Sequence, residues 1–231
     1  MVPLIQMTEV SKVFADGFVA LADITIEIPK GEFAFVVGPS GAGKSTLIKL
    51  LFREDVPTSG RIIVNGRDLA SLSPLDVPYF RRSLGIVFQD FRLLPDKNAY
   101  ENVAFAMRVI EASRRDIQRR VKFVLDLVGL LPKARIYPAQ LSGGEQQRVA
   151  IARAIVNNPS VVIADEPTGN LDPDNSWEIM KIFERINKVG TTILMATHDK
   201  PIVDQMMKRV IAIENGRIVR DESRGAYGYE D

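Results

Sequence analysis

The sequence predicts an α/β fold with a buried, mainly parallel core sheet, an antiparallel N-terminal part and an inserted helical lobe. Three observations carry this. The runs Phe33 to Val37, Val161 to Ala164 and Thr192 to Thr197 are apolar or β-branched at nearly every position, as strands covered on both faces require. Gly38 to Thr46 sets glycines and a lysine between one such strand and a helix. From about Asp90 to Gln140 the apolar period changes to 3.6.

Taken in order, residues 2–36 alternate apolar and polar, with Gly17 and Pro29-Lys30-Gly31 as turn signals, and read as antiparallel strands. Thr46 to Glu54 reads as a helix with Leu47, Leu50 and Leu51 on one face. Ile62 to Val64 followed by Asn65-Gly66 reads as a strand and tight turn. In the helical lobe, Val103, Met107 and Ile110 form one stripe, and Val121, Val124, Leu125 and Val128 another. Helix 174–188 is expected to start from Asp172 as N-cap with Pro173 in its first turn, burying Ile179, Ile182, Phe183 and Ile186. Arg209 to Val219, carrying Asn215-Gly216, reads as a closing hairpin. The expected organisation is one domain over 1–225, with its core in 1–89 and 155–225 and its helical lobe in 90–154. A polar tail follows at 226–231, frayed from Tyr227 onward.

The chain has 231 residues, 46% hydrophobic and 26% charged, which fits an ordinary globular protein with a sizeable core. A net charge of +1 supplies no basic excess, so no nucleic-acid partner is expected. The basic run Arg114 to Lys122 reads as the solvated face of a helix. With no cysteine there is no disulfide framework, which fits a reducing cytoplasm. Unbroken apolar runs reach about five residues, against the ~20 that span a bilayer. A role at a membrane therefore calls for a separate membrane chain.

The chemistry begins at Gly38-Pro39-Ser40-Gly41-Ala42-Gly43-Lys44-Ser45-Thr46. Glycines there let backbone N–H groups wrap phosphates, Lys44 adds a point charge near the β and γ groups, and the Ser45 hydroxyl is placed for Mg²⁺. Asp165 ends an apolar strand, where an ionised carboxylate needs a partner, and Mg²⁺ is that partner. Glu166 follows as the candidate to orient or deprotonate the attacking water. His198, the one histidine in the chain, follows the neighbouring strand and can hydrogen-bond the γ-phosphate and the water. Gln89 ends the run Gly85 to Phe88 at the edge of the helical lobe, where its amide can reach Mg²⁺ or that water. Phe14 can stack on adenine, though a place in the core, or Phe18 in its stead, stays open. A second Gly-rich turn, Leu141-Ser142-Gly143-Gly144-Glu145, opens a helix roughly a hundred residues after the first. One copy cannot easily bring both turns onto the same phosphates, and the economical reading is two copies head to tail.

In this order the pieces resemble the nucleotide-binding domain of ATP-binding cassette (ABC) proteins over almost the whole chain. The resemblance implies a phosphate-loop ATPase with a mixed, RecA-like core sheet, an N-terminal antiparallel β subdomain and an inserted α-helical subdomain. It makes 38–46 the Walker A loop, Gln89 the Q-loop glutamine, 141–145 the signature and 161–165 Walker B. Glu166 becomes the catalytic glutamate, Asp172 the D-loop residue of dimer communication, and His198 the switch histidine. ATP is then held between the Walker A loop of one copy and Ser142, Gly143, Gly144 and Glu145 of another. Glu145 stands where glutamine is commoner, Phe14 where tyrosine is commoner, and Asn170-Leu171-Asp172 replaces the frequent Ala-Leu-Asp.

Phe88 to Pro95, Leu141 to Arg153, Ala164 to Pro173, Met195 to Asp199 and Val219 to Glu222 are similar to the FtsE family of bacterial cell-division ATPases. That resemblance implies an FtsX-like integral membrane partner docking after Gln89, where Phe91, Leu93 and Leu94 are exposed-apolar candidates, with a place in the core open for half of them. It also implies a peripheral place on the cytoplasmic face of the cell membrane and indirect control of a peptidoglycan hydrolase. An ATPase of the lipoprotein- or macrolide-exporter type shares the same catalytic spacing and stays open as the alternative.

Overall fold

A computed structural model describes residues 3–228. Strands β1 (Ile5–Val13) and β2 (Val19–Ile28) pair antiparallel, and β3 (Phe33–Val37) runs through the glycine-rich loop into α1 (Lys44–Leu51). The short strands β4 (Ser59–Val64) and β5 (Arg67–Asp68), helix α2 (Val77–Arg82) and strand β6 (Gly85–Val87) follow. Then come α3 (Ala99–Val109), α4 (Arg114–Leu127) and α5 (Gly143–Ile155). The chain returns through β7 (Val161–Asp165), α6 (Pro173–Lys188), β8 (Thr192–Ala196) and α7 (Lys200–Met206), and closes with the hairpin β9 (Arg209–Glu214) and β10 (Arg217–Glu222).

These strands form two sheets, an antiparallel one in the order β2-β1-β4-β5 and a mixed one in the order β10-β9-β3-β8-β7-β6. All neighbours in the second are parallel except β10, which pairs antiparallel with β9. The core strands are apolar except at their ends, as at Asp165 and Thr192, because each feeds two cores. In β3, Phe33, Phe35 and Val37 join the cluster under the helices, while Ala34 and Val36 join the cluster between the sheets around α1. β7 and β8 divide in the same way, with Val162, Ala164, Ile193 and Met195 on one side and Val161, Ile163, Leu194 and Ala196 on the other. Period-2 side-chain alternation with both faces covered leaves polar residues only at the strand ends.

The helical stripes fall as their spacing dictates, with one exception. Val103, Met107, Val121, Val124, Leu125 and Val128 are buried, but Ile110 is 41% exposed. It caps the C-terminus of α3 with φ −96°, so the helical rotation that would carry it onto the stripe has already stopped. The first helix also begins earlier than its apolar spacing indicates, at Lys44, and stops at Leu51, with Arg53 at φ +63° turning the chain away. Asp172 caps α6 as expected, its carboxylate accepting from the Asn175 N–H, and Ile179, Ile182, Phe183 and Ile186 are buried. The tail departs from expectation: Ala226 to Gly228 are held by Arg220, whose guanidinium donates to all three carbonyls. Residues 229–231 of the expected polar tail lie outside the described residues.

Candidate active site

Sheet order assembles the site. The C-terminal ends of β6, β7, β8 and β3 lie side by side and deliver Gln89, Asp165 with Glu166, His198 and Gly38 in that sequence. Such an edge of a parallel sheet is where α/β folds bind ligands.

The loop after β3 is glycine-dependent at its two ends. Gly38 has φ +147°, and a Cβ there would lie 2.1 Å from the Ile213 carbonyl oxygen; Gly43 has φ +108°, and its Cβ would lie 2.5 Å from the Ala20 carbonyl oxygen. Pro39, Ser40 and Gly41 are exposed between them, while Ala42 is buried. Lys44 launches α1 and is buried, its ammonium donating to the carbonyls of Gly38 (2.8 Å) and Pro39 (3.1 Å). It also stands 4.0 Å from the Glu166 carboxylate. A lysine parked on the carbonyls of its own loop can exchange them for phosphate oxygens without leaving the site. Thr46 is half-buried one residue beyond Ser45.

The Ser45 hydroxyl donates to Asp165 at 3.1 Å. Burial pushes the Asp165 carboxyl above the usual aspartate range and the neighbouring Glu166 charge adds to this, while the Ser45 hydrogen bond, Lys49 and Lys44 oppose it. A carboxylate destabilised by burial, with a hydroxyl beside it, suits a divalent cation. Among the described residues no cluster of three or more His, Cys, Asp or Glu is placed to hold a metal. An ion bound at Ser45 and Asp165 therefore takes further ligands from phosphate and water, which is how Mg²⁺ is commonly held.

Glu166 sits at φ +49°, a left-handed conformation in which only a few per cent of non-glycine residues are found. Its amide donates to the Ala196 carbonyl (2.9 Å), and its carboxylate lies 2.6 Å from His198 Nδ1. The pairing follows from register, since Asp165 lies opposite Ala196 in the parallel β7–β8 ladder. His198 is exposed and Glu166 is largely enclosed, with side chains 62% and 13% accessible. The imidazole thus orients the carboxylate and keeps a face toward solvent.

Gln89 is exposed and its amide donates to Asn170 Oδ1 at 3.4 Å, while Asn170 Nδ2 donates to the Gln89 carbonyl at 3.2 Å. The glutamine is thereby tied to the loop that leads into α6. Phe14 is 39% exposed in the turn between β1 and β2, stacked on Phe18 with ring planes 13° apart, so it is not a core residue. Phe91, Leu93 and Leu94 are half-buried, and Leu93 packs on the core, so none of the three is an open apolar surface.

The second glycine turn begins α5. Ser142 caps it, accepting from the Glu145 N–H (3.3 Å), and Glu145 reaches back to the Ser142 N–H (3.1 Å). A hydrogen bond from Lys133, together with the Ser142 amide, holds the Glu145 carboxyl below the usual glutamate range. Gly144 lies against Asn175, where a Cβ would approach Oδ1 to 2.5 Å. Asn175 is in turn fixed to Asp172 by its own amide (2.6 Å). No hydrogen bond links Ser142, Gly143, Gly144 or Glu145 to the 38–46 loop among the described residues.

Two connections escaped the sequence reading. Gln147 is fully buried and donates to the carbonyls of Pro167 (2.7 Å) and Phe88 (3.4 Å). Arg153 donates to the carbonyls of Phe91 (2.8 Å) and Arg92 (2.5 Å), both at positive φ. Together they fasten α5 to the segments that follow Gln89 and Glu166. The available signal was helical spacing, which puts Gln147 on the same face as Gly144 and Ile151.

A family model described as ABC transporter matches residues 21–169. The chain is 61% identical over 228 residues to the cell division ATP-binding protein FtsE of Bacillus subtilis (strain 168), covering 99% of this chain and 100% of that protein. Against the protein of the same description from Escherichia coli (strain K12) the identity is 47% over 227 residues, covering 98% and 100%. The ATP-binding cassette MJ0796, solved as a dimer in a post-hydrolysis state bound to ADP and Pi, superposes with a TM-score of 0.86 at 34% identity, covering 96% of this chain and 99% of that one.

Proposed function

The chain belongs to the ABC transporter family, and from its cell-division relatives we propose that it is the ATP-hydrolysing subunit of a membrane complex in bacterial cell division. It is an ATPase of the ABC type. The observation that supports the site assignment best is the 2.6 Å contact between Glu166 and His198, with the Lys44 ammonium 4.0 Å from the same carboxylate. The positive group meets the phosphates, and the carboxylate held by an imidazole meets the water.

In this reading the 38–46 loop wraps the phosphates of ATP and Phe14 stacks on the adenine. Lys44 turns from its carbonyls to the β and γ groups. Glu166 positions the attacking water and accepts its proton, while His198 holds Glu166 in place and faces the γ-phosphate. Ser45 and Asp165, with Gln89, would hold Mg²⁺, which would supply neutralisation of the charge on the phosphate oxygens. Closure requires a second copy, because the amide-rich start of α5 is an anion site with no phosphate loop of its own chain bonded to it. Ser142 and Gly143 contact the triphosphate of the partner copy, and Gly144 and Asp172 transmit closure between α5 and α6. Glu145, already committed to Lys133 and the Ser142 amide, shapes that turn.

The cell-division assignment extends the named relatives' description to this chain. It places the protein at the cytoplasmic face of the membrane beside an FtsX-like partner, with a peptidoglycan hydrolase as the distant effector. Gln89, tied to Asn170, is the hinge through which the 90–154 lobe follows the state of the γ-phosphate. The test is phosphate release from the full chain with and without that membrane partner in lipid nanodiscs. Glu166→Gln should abolish turnover, by about a hundredfold or more, while ATP still binds. Near-normal release by that variant refutes the assigned base, and release indifferent to the partner refutes the complex.

A further inference from the structure

The segment after β10 brings the hydroxyl of Tyr227 to the first residue of the phosphate loop. Arg220, with a side chain only 10% accessible, clasps this segment by donating to the carbonyls of Ala226 (2.7 Å), Tyr227 (2.9 Å) and Gly228 (2.9 Å). Asp204 on α7 accepts from the Tyr227 N–H at 2.6 Å. The ring packs against the core beneath, and its hydroxyl lies 3.3 Å from the Gly38 carbonyl oxygen. That oxygen belongs to a buried residue and is the same one that Lys44 uses at 2.8 Å. Among the described residues, Lys44 and Tyr227 are its side-chain donors.

We propose that Tyr227 is a positioning residue for ATP: its hydroxyl keeps the Gly38 carbonyl satisfied and directed when Lys44 turns to the phosphates, and the Arg220 clasp sets it there. A carbonyl has two lone pairs and a lysine three donor hydrogens. In the resting loop Lys44 covers both Gly38 and Pro39, so the tyrosine is a second donor with little to add. Its 3.3 Å separation is accordingly longer than the ~2.8 Å of a strong O–H···O bond. Once phosphate oxygens compete for the ammonium, a buried carbonyl left without a donor would oppose the change. Tyr227 removes that opposition. Burial raises the phenol above its usual pKa, with the Glu166 charge adding to this against the hydrogen bond to Gly38, so it remains a neutral donor.

The inference rests on the reading of 38–46 as the phosphate site, and the experiment separates the two. Affinities for Mg-ATP and for AMP, and the melting temperature without nucleotide, are measured on the 231-residue chain, on Tyr227→Phe, on Arg220→Ala and on the double variant. Tyr227→Phe should weaken ATP binding about three- to tenfold, the worth of one hydrogen bond. It should leave the nucleotide-free melting temperature within about a degree, since the hydroxyl adds little to the resting loop. AMP, which lacks the phosphates that draw Lys44 away, should bind both chains alike. Arg220→Ala should show the same selective loss, and the double variant no further one, because the hydroxyl is already displaced. Unchanged ATP affinity in Tyr227→Phe overturns the proposal, as does an equal loss for AMP. A lowered melting temperature with ATP affinity unmoved overturns it too. Failure of the wild type to bind ATP would instead refute the site itself.

Discussion

Replacing Gln147 with leucine keeps the side-chain volume roughly constant and removes one donor from the centre of the domain. That donor serves the carbonyl of Pro167, itself buried, at 2.7 Å, and more weakly the carbonyl of Phe88 at 3.4 Å. Leaving a buried carbonyl unpaired costs about 1–3 kcal/mol. A partial offset exists, because among the described residues the Gln147 Oε1 has no hydrogen-bond partner and leucine removes it. The net loss is therefore expected near the lower half of that range, about 1–2 kcal/mol. At about 2–4 °C per kcal/mol for a chain of this size, the melting temperature should fall by about 2–8 °C. Activity should fall further than stability does, because the two carbonyls belong to the segments carrying Gln89 and Glu166, and both lose their common tether to α5. Differential scanning calorimetry and phosphate release on one preparation measure both effects. A variant that melts and hydrolyses like the parent would show that α5 is not coupled to the site through Gln147, and the argument built on it would fail.

The remaining expectations concern charge. Asp165→Asn should remove cation-dependent hydrolysis, by about a hundredfold or more, yet should not weaken the cation-free fold. Since burial raises the Asp165 pKa, its ionisation costs the fold stability as pH climbs from the ordinary aspartate value through the raised one. The amide escapes that loss and still accepts from Ser45, so thermal melts in chelator at neutral pH should place the variant at or above the parent. Glu145→Gln retains a capping side chain and discards the charge that Lys133 and the Ser142 amide hold below the usual range. The parent's advantage, about 0.5–1 kcal/mol for one half-exposed pair, is present above the ordinary glutamate value of about 4.3. It should vanish as pH falls through the lower folded value. Melting curves across that acid range should converge, and curves that stay parallel would sink the assignment.

Much of this architecture was legible because the sequence signals are local. A strand apolar on both faces, a glycine loop and an N-capped helix are each written in a few consecutive residues, and β3, the 38–46 loop and α6 fall where those residues put them. Ile110 misled because periodicity does not say where a helix ends. The short helices α2 and α7 gave too few turns for a period to register, at six and seven residues. The connections through Gln147, Arg153 and Tyr227 were illegible for a different reason. Each joins a side chain to a backbone carbonyl 20 to 189 positions away. A carbonyl carries no residue-type signature, so only the folded chain reveals the partner. Asn170 stood out in the sequence as a departure, and its bond to Gln89 gives that departure a physical role.

Sedimentation of the Glu166→Gln chain with and without Mg-ATP tests the central claim, that a triphosphate is held between the 38–46 loop of one copy and Ser142 of another. The account predicts that nucleotide doubles the sedimenting mass, and that adding Ser142→Arg abolishes the doubling while ATP still binds. A chain that binds ATP and stays single, or a dimer untouched by Ser142→Arg, would contradict it.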